Sequence, residues 1–534
     1  MVVAVEAPVQ LPLLHIVESD DIYFEEQANV LWFRVLRDLD WRAFIGVAAQ
    51  YYEALWTFNQ AQRDARVERA RTQPEANPET RQEADRRLLF DRATLDATAP
   101  VLHEMAPAER ELHHVDPSAL RPGRVPLRFA GRTPKCFFAM FKAFMGLCLL
   151  GRSPEPEFVH QELVNNPSFA RACGFTLSDP VLGYRKSDVP SRRKIEQFDQ
   201  LMAENGLWDL AAVTQVRANF ENGVLEPEPT LVHDTTHYDA HSSWRVVEGA
   251  EEDGAEDAKK TRKSQSKATK RCRCKDWTQC PHEWVLADEG AGTVVKQRGK
   301  MVWAHKASTL SFAGQEVLLD AVAMNDAASH DSRSLVPHLD RFFDRHPDLE
   351  DGVTRVLDDG ALDDAGIKAQ VLDDFGAELY ASPNSRARKP SHKDLPRGMD
   401  HFTSLGVPVC REGFPFDFLG CRHIDERFLF RAPDDEQGTP VCTGCSRAAD
   451  CLRVGSERRH VTVPFERLPF LDPDLPYLSR RFKNAMARRT VIERLHKLMK
   501  FDYGDARLTK RGNAAFQARL DKTLLAMHLV LASP

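Results

Sequence analysis

Between residues 229 and 384 short β-prone runs alternate with amphipathic ones, and that succession leaves few folds open. After the break at Pro227 and Pro229, the run Thr230-Leu231-Val232-His233-Asp234-Thr235-Thr236-His237-Tyr238 predicts a strand with an acid near its centre. Met301 to Ser308 and Gln315 to Met324 predict two more strands, and Ser334 to Arg345 an amphipathic helix. A short apolar strand from Val353 then ends in the acidic turn Asp358-Asp359-Gly360; a further helix and the strand Glu378 to Ser382 follow. Strand, strand, strand, helix, strand, helix, strand is the pattern of an α/β protein.

A second feature lies downstream. From Arg480 to Lys500 there are eight Lys or Arg and one carboxylate, Glu493. In a helix, Arg489, Glu493, Lys497 and Lys500 share one face, at i−4, i, i+4 and i+7. One acid in a cationic stripe suits a site that binds a metal ion and a polyanion together. The competing reading is a solvated helix with i,i+4 ion pairs. The two strand-borne acids upstream favour the first.

The order of elements, together with the spacing Arg489-x3-Glu493-x6-Lys500, resembles the DDE transposases of bacterial insertion sequences, in the branch marked by Y-x2-R-x3-E-x6-K. Met486 stands at the Tyr position. Asp234-Thr235-Thr236, Lys306 on the second strand and His330-Asp331-Ser332 after the third agree with that likeness, which covers about residue 130 onward. It implies a ribonuclease H-like fold, a mixed sheet flanked by helices, with Asp234, Asp358 and Glu493 as the catalytic, metal-binding triad. Relatives show Asp-x-Gly-aromatic at the middle acid. Asp358-Asp359-Gly360-Ala361 matches it except at Ala361, and Asp359 remains a rival through a one-residue shift. Three carboxylates suit two Mg²⁺ ions, which take hard oxygen ligands and leave room for water and phosphate. Arg489, Lys500, Lys497 and Lys306 would contact DNA.

The resemblance therefore implies metal-dependent DNA cleavage and strand transfer of an insertion sequence. Its partners would be double-stranded DNA, as terminal inverted repeats and target, and a second copy of the chain in a homodimer. The alternative is a non-catalytic, zinc-containing DNA-binding protein derived from a transposase. A ribonuclease H-like nuclease without strand transfer is a third reading.

Composition bounds these readings. The net charge is −7 and the pI about 6.3, so any DNA-binding surface is a basic lane on an acidic body. Lys259 to Lys275 carries nine Lys or Arg and no acid. The opening Met1 to Leu14 lacks the basic start of a signal peptide, and Cys136 to Leu150 is too short to span a bilayer, so the sequence predicts a cytoplasmic protein with no membrane partner. Neither G-x-x-x-x-G-K-[ST] nor H-E-x-x-H occurs. His233, His237 and His241 are spaced for a strand face pointing away from Asp234, which argues against a shared metal site.

The cysteines fall into two groups. Cys136, Cys148 and Cys173 sit in apolar helical surroundings and read as core. Cys442-x2-Cys445-x5-Cys451 has zinc-knuckle spacing, with Cys410, Cys421 or His423 as fourth ligand; Cys272-x-Cys274-x5-Cys280-x-His282 offers a second set. Both are candidate structural zinc sites. The predicted organisation is an all-α N-terminal region (1–130) and a helical DNA-binding domain (131–228). The core's first part (229–384) follows, interrupted by a basic Cys-rich insertion at 245–300. A second Cys-rich insertion (385–475) and the closing core helices (476–534) complete it. Lys135 to Leu163 and Ser191 to Asn205 read as helices, as does most of 20–110, with Leu31, Val35, Leu36 and Leu39 at helical spacing.

Overall fold

The structure is a computed structural model. It describes residues 31–72, 136–175, 188–240, 244–247, 269–270, 284–288, 290–295, 301–325, 327–384, 390, 393, 395–504 and 508–533. Cys272, Cys274, Cys280, His282 and His241 lie outside them, as does most of the Lys259 to Lys275 run.

The described residues up to Glu221 are mainly helical. Helices α1 (Leu31–Asp38) and α2 (Ile45–Thr72) lead into α3 (Phe137–Leu149), α4 (Pro156–Asn165), α5 (Pro167–Ala172), α6 (Arg192–Glu204) and α7 (Leu207–Glu221). Every residue of α3 from Phe137 to Cys148 is buried, as expected of a helix that is apolar on all sides. Phe141 stacks on Trp208 with ring centroids 5.4 Å apart, and Phe144 and Phe198 complete the cluster. The single helix expected from Lys135 to Leu163 is two. Gly151 turns the chain at φ 66°, and Pro156 starts α4 at its first turn, where a missing N–H costs nothing. In α1 the buried face is Trp32, Phe33, Val35 and Leu36; Leu31, expected on that stripe, is exposed.

The main sheet contains six strands: β1 (Thr230–Asp239), then β5 (Gly292–Val295), β6 (Met301–Phe312), β7 (Leu318–Ala323), β8 (Arg355–Asp358) and β9 (Glu378–Ala381). Between β1 and β5 the short strands β2 (Trp244–Val247), β3 (Thr269–Lys270) and β4 (Trp284–Leu286) form a separate three-stranded sheet. Strand β6 is the long organiser of the main sheet. One edge pairs antiparallel with β1, and the other pairs with β5 at Met301–Ala304 and with β7 at Ala307–Ser311. Strand β1 pairs parallel with β8, and β8 parallel with β9, so the sheet is mixed. The insertion expected over 245–300 thus ends earlier, because β5 belongs to this sheet. A four-residue strand beginning with Gly gave too little alternation to be read.

Helix α8 (Leu335–Arg345) lays Leu335, His338, Leu339, Phe342 and Phe343 onto the structure's core. Helix α9 (Ala365–Phe375) is started by the Asp364 carboxylate, which accepts from the Gly366 and Ile367 amides, and is stopped by Gly376 at φ 64°. The segment 385–475 holds β10 (Met399–Phe402), β11 (Pro408–Cys410), β12 (Asp417–Arg422), β13 (Arg427–Arg431) and β14 (His460–Pro464). Its phenylalanines mostly pack inward: Phe402, Phe416, Phe428 and Phe430 are buried.

The helix expected around Glu493 is broken into pieces. They are α10 (Arg480–Ala487), a 3₁₀ turn at Arg488–Thr490, α11 (Val491–Lys497) and a π-helical turn at Leu498–Asp502. Helix α12 (Asn513–Leu531) packs against α3, α7 and β7 and carries buried polar and charged side chains with partners. Lys522 Nζ donates to Asp199 Oδ1 at 2.7 Å, Arg519 to Ser153 Oγ at 2.9 Å, and His528 Nε2 to the Leu318 carbonyl at 2.7 Å. One connected hydrophobic core runs from Trp32 to Leu529. Among the described residues, no helix is long and apolar enough to cross a membrane.

Candidate functional site

Alternation along β1 sends its side chains to two environments. On one face Asp234, Thr236 and Tyr238 meet the broken helix. Arg489 Nη2 donates to Asp234 Oδ2 at 3.0 Å, and Arg489 Nη1 lies 3.6 Å from Glu493 Oε1, so one guanidinium touches two of the three expected acids. Lys500 Nζ donates to Thr236 Oγ1 at 2.5 Å and sits 5.1 Å from the centre of the Tyr238 ring. Lys500 lies within the π turn, which departs from the α-helical register. The shared face expected for Arg489, Glu493, Lys497 and Lys500 is therefore split. Arg489 and Lys500 turn toward β1, whereas Glu493 and Lys497 are exposed.

The opposite face of β1 holds a buried polar network. Asp358 closes β8, beside His233, and its Oδ2 hydrogen-bonds His233 Nδ1. His233 Nε2 meets Ser308 Oγ at 2.7 Å, and Ser308 Oγ meets His338 Nδ1 at 2.7 Å. Burial opposes a charge on His233, but the adjacent Asp358 carboxylate outweighs it and raises the imidazole above its usual range. Sequence reasoning placed the histidines away from Asp234, and His233 and Thr235 do face away from it. It did not find the His233–Asp358 pair, which only the β1–β8 register reveals.

Asp358 is 1 % exposed, and Asp359 serves as a cap, its Oδ1 accepting from the Ala361 amide at 2.7 Å. Burial pushes the Asp234 carboxyl up to about 6 despite the opposing pull of Arg489, and the neighbouring Asp358 adds to the rise. His496, on α11, is held low at about 3 by burial and by Lys500 and Arg489. Thr309 Oγ1 donates to the Asp234 carbonyl at 3.0 Å, so it accepts from His496 at 2.8 Å. His496 is thus neutral with its proton on Nε2.

Lys306, expected to contact DNA, is buried. Its ammonium donates to Asp331 Oδ1 at 2.8 Å and to the Ser329 carbonyl at 2.6 Å, and Asp331 also accepts from Thr235. It ties the third strand's exit to β1 and is not presented to a polyanion.

The oxygen donors of Asp234, Asp358 and Glu493 suit a hard divalent ion such as Mg²⁺. Their spacing is another matter: among the described residues no three His, Cys, Asp or Glu side chains are gathered closely enough to hold a metal ion. Asp358 is turned to His233, and Glu493 is exposed beside Arg489.

In the second Cys-rich segment, Cys410, Cys442, Cys445 and Cys451 line one cavity of about 30 Å³, and Cys421 is not among its lining residues. The eight described cysteines are all free thiols, with Cys148 and Cys173 buried as expected.

No protein-family model matches the sequence, and no curated protein matches it. Among solved structures the chain is similar to one described as the cryo-EM structure of a piggyBac transposase synaptic complex with hairpin DNA. The TM-score is 0.30 at 9 % identity, over 74 % of this chain and 65 % of that one. The matched part thus spans just under two thirds of that protein's length. A likeness at this level fixes neither fold nor function.

Proposed function

We propose that the chain is a DDE transposase with a ribonuclease H-like core, which cleaves double-stranded DNA at the ends of an insertion sequence and joins them to a target. The observation that carries this reading is the meeting of Asp234 and Glu493 at one guanidinium, with Asp358 ending the strand parallel to and beside β1. The strand order β7-β6-β1-β8-β9, with β6 antiparallel to both β1 and β7, supports it.

In this reading Asp234, Asp358 and Glu493, once drawn together, would hold two Mg²⁺ ions, which would supply an activated attacking oxygen and stabilisation of the leaving one. The chain's own groups prepare the site. Arg489 supplies counter-charge to Asp234. Lys497, exposed beside Glu493, meets the DNA backbone. Lys500, braced on Thr236 and Tyr238, adds positive charge at the rim. His496, neutral, fixes Thr309 and through it the β1 backbone at Asp234. A homodimer would pair the two ends.

A second reading, a non-catalytic zinc-containing DNA-binding protein, is favoured by one observation: the three acids are not gathered, and Asp358 is already engaged by His233. Purified protein with Mg²⁺ and DNA carrying the native flanks of its gene separates the two. Cleaved and joined products that vanish in Glu493→Ala support the transposase. Cleavage without joining points to a nuclease, and binding without cleavage in both proteins supports the second reading.

A further inference from the structure

We infer that Cys410, Cys442, Cys445 and Cys451 form a structural site for one zinc ion, which ties the β10–β11 hairpin to the turn before β14. Four thiols, Cys410 from one stretch of sequence and Cys442, Cys445 and Cys451 from another, border the same cavity of about 30 Å³, which has room for an ion. None is in a disulfide.

The backbone around them is shaped for the task. The Cys445 amide donates to the Cys442 carbonyl, and Gly444 between them takes φ 81°, a conformation that favours glycine. Cys410 opens a comparable turn, with the Gly413 amide donating to its carbonyl at 2.9 Å and Gly413 at φ 85°. A Cys-x-x-Cys pair on one tight turn, facing a third and a fourth thiol from elsewhere, is the donor arrangement of closed, tetrahedral zinc sites. Gly398 closes the wall: a Cβ there would lie 2.6 Å from Cys451 Sγ, at a φ of 84°.

The choice of soft divalent ion follows from the donors. Four thiolates favour zinc over magnesium or calcium. Each Cys–S⁻ forms one bond to the ion, and each thiol still protonated releases its proton to solvent on binding, so the site gains two net negative charges. Arg411, Arg447 and Arg459 border the cavity and offset that charge. Cys421 is excluded as a ligand because it stands outside the cavity; burial, and then the charge of Asp474 and Asp472, raises its thiol. Among the described residues no three thiols stand at metal-bonding separation, so zinc binding includes rotation of the thiols inward and a tightening of the two turns.

The site is independent of the transposase reading, and so is its test. Full-length wild-type protein, kept reduced, is stripped with a chelator and labelled with N-ethylmaleimide with and without added zinc. Peptide mapping then gives the rate at each cysteine and separates this cluster from Cys272, Cys274 and Cys280. Zinc should slow labelling of Cys410, Cys442, Cys445 and Cys451 together, on the order of tenfold or more, and leave Cys421 unchanged. Cys410→Ser should lower bound zinc by one ion per chain, and Cys421→Ser should not. Zinc-independent labelling of the four would overturn the proposal, as would protection of Cys421 in place of Cys410 or a Cys442–Cys445 disulfide in reduced protein.

Discussion

Lys142 lies in the wholly buried helix α3 and is only 3 % exposed, with its Nζ 5.1 Å from the centre of the Trp41 ring. Burial lowers its pKa from 10.5 to about 8. Below pH 8 the folded protein therefore carries a charge in a place that disfavours it. The difference of about 2.5, at about 1.36 kcal/mol each, is roughly 3.4 kcal/mol as an upper bound. Lys142→Met keeps the aliphatic stem, removes that burden and gives up the ammonium's contacts, among them a cation–π contact worth about 1 kcal/mol. The variant should be stabilised by about 1–3 kcal/mol at pH 7. The sign with pH is definite. Between pH 8 and 10.5 the unfolded chain binds the proton that the folded chain has lost, so wild-type stability rises across that window and the variant's advantage fades. Urea unfolding of both proteins at pH 7, 8.5 and 10 measures the difference directly. An advantage that does not change with pH, or a variant less stable than wild type at pH 7, would refute the reasoning.

Asp199→Asn should cost about 3–5 kcal/mol, because it leaves Lys522, 2 % exposed, without its counter-charge. Although burial raises the Asp199 carboxyl, Lys522 and Lys510 outweigh it and hold it low. Its stabilisation is present above about pH 3.9 and is lost as pH falls through the folded value, which acid titration of the two proteins would show. Glu493→Ala should change stability by no more than about 0.5 kcal/mol, since its side chain is 66 % exposed, so any lost activity reports on chemistry. Lys497→Ala should weaken DNA binding and lower the salt slope by about 1, whereas Lys306→Met should cost about 1–3 kcal/mol of stability through the stranded Asp331. Salt-dependent binding and denaturant midpoints distinguish the two.

The strands carrying Asp234 and Asp358 were readable because β-branched runs end at clear breaks, at Pro229 and at Gly360. So was α8, whose apolar period is unbroken. The helix around Glu493 was read as continuous, because a 3₁₀ turn and a π turn leave no mark in a sequence of good helix formers. The burial of Lys306 was hidden for another reason: its partner Asp331 lies 25 residues away, and a lysine on a strand looks the same whether it faces water or an acid. The cysteine spacing pointed to Cys442, Cys445 and Cys451, but a choice between Cys410 and Cys421 needed the fold of the β10–β11 hairpin.

The buried pair between Asp199 and Lys522 has a bearing on how the protein is made. The two residues are 323 positions apart. At about 5–20 residues per second, a ribosome takes roughly 16–65 s to travel between them. For most of that interval α3, α6 and α7 have been made with Asp199 unpaired to Lys522 and the seat of α12 uncovered. The helical half therefore completes its packing only after the β-rich segments have been synthesised. A nascent chain stalled in that interval would offer its apolar seat to chaperones, and a truncation that removes α12 would destabilise the N-terminal helices as much as the sheet.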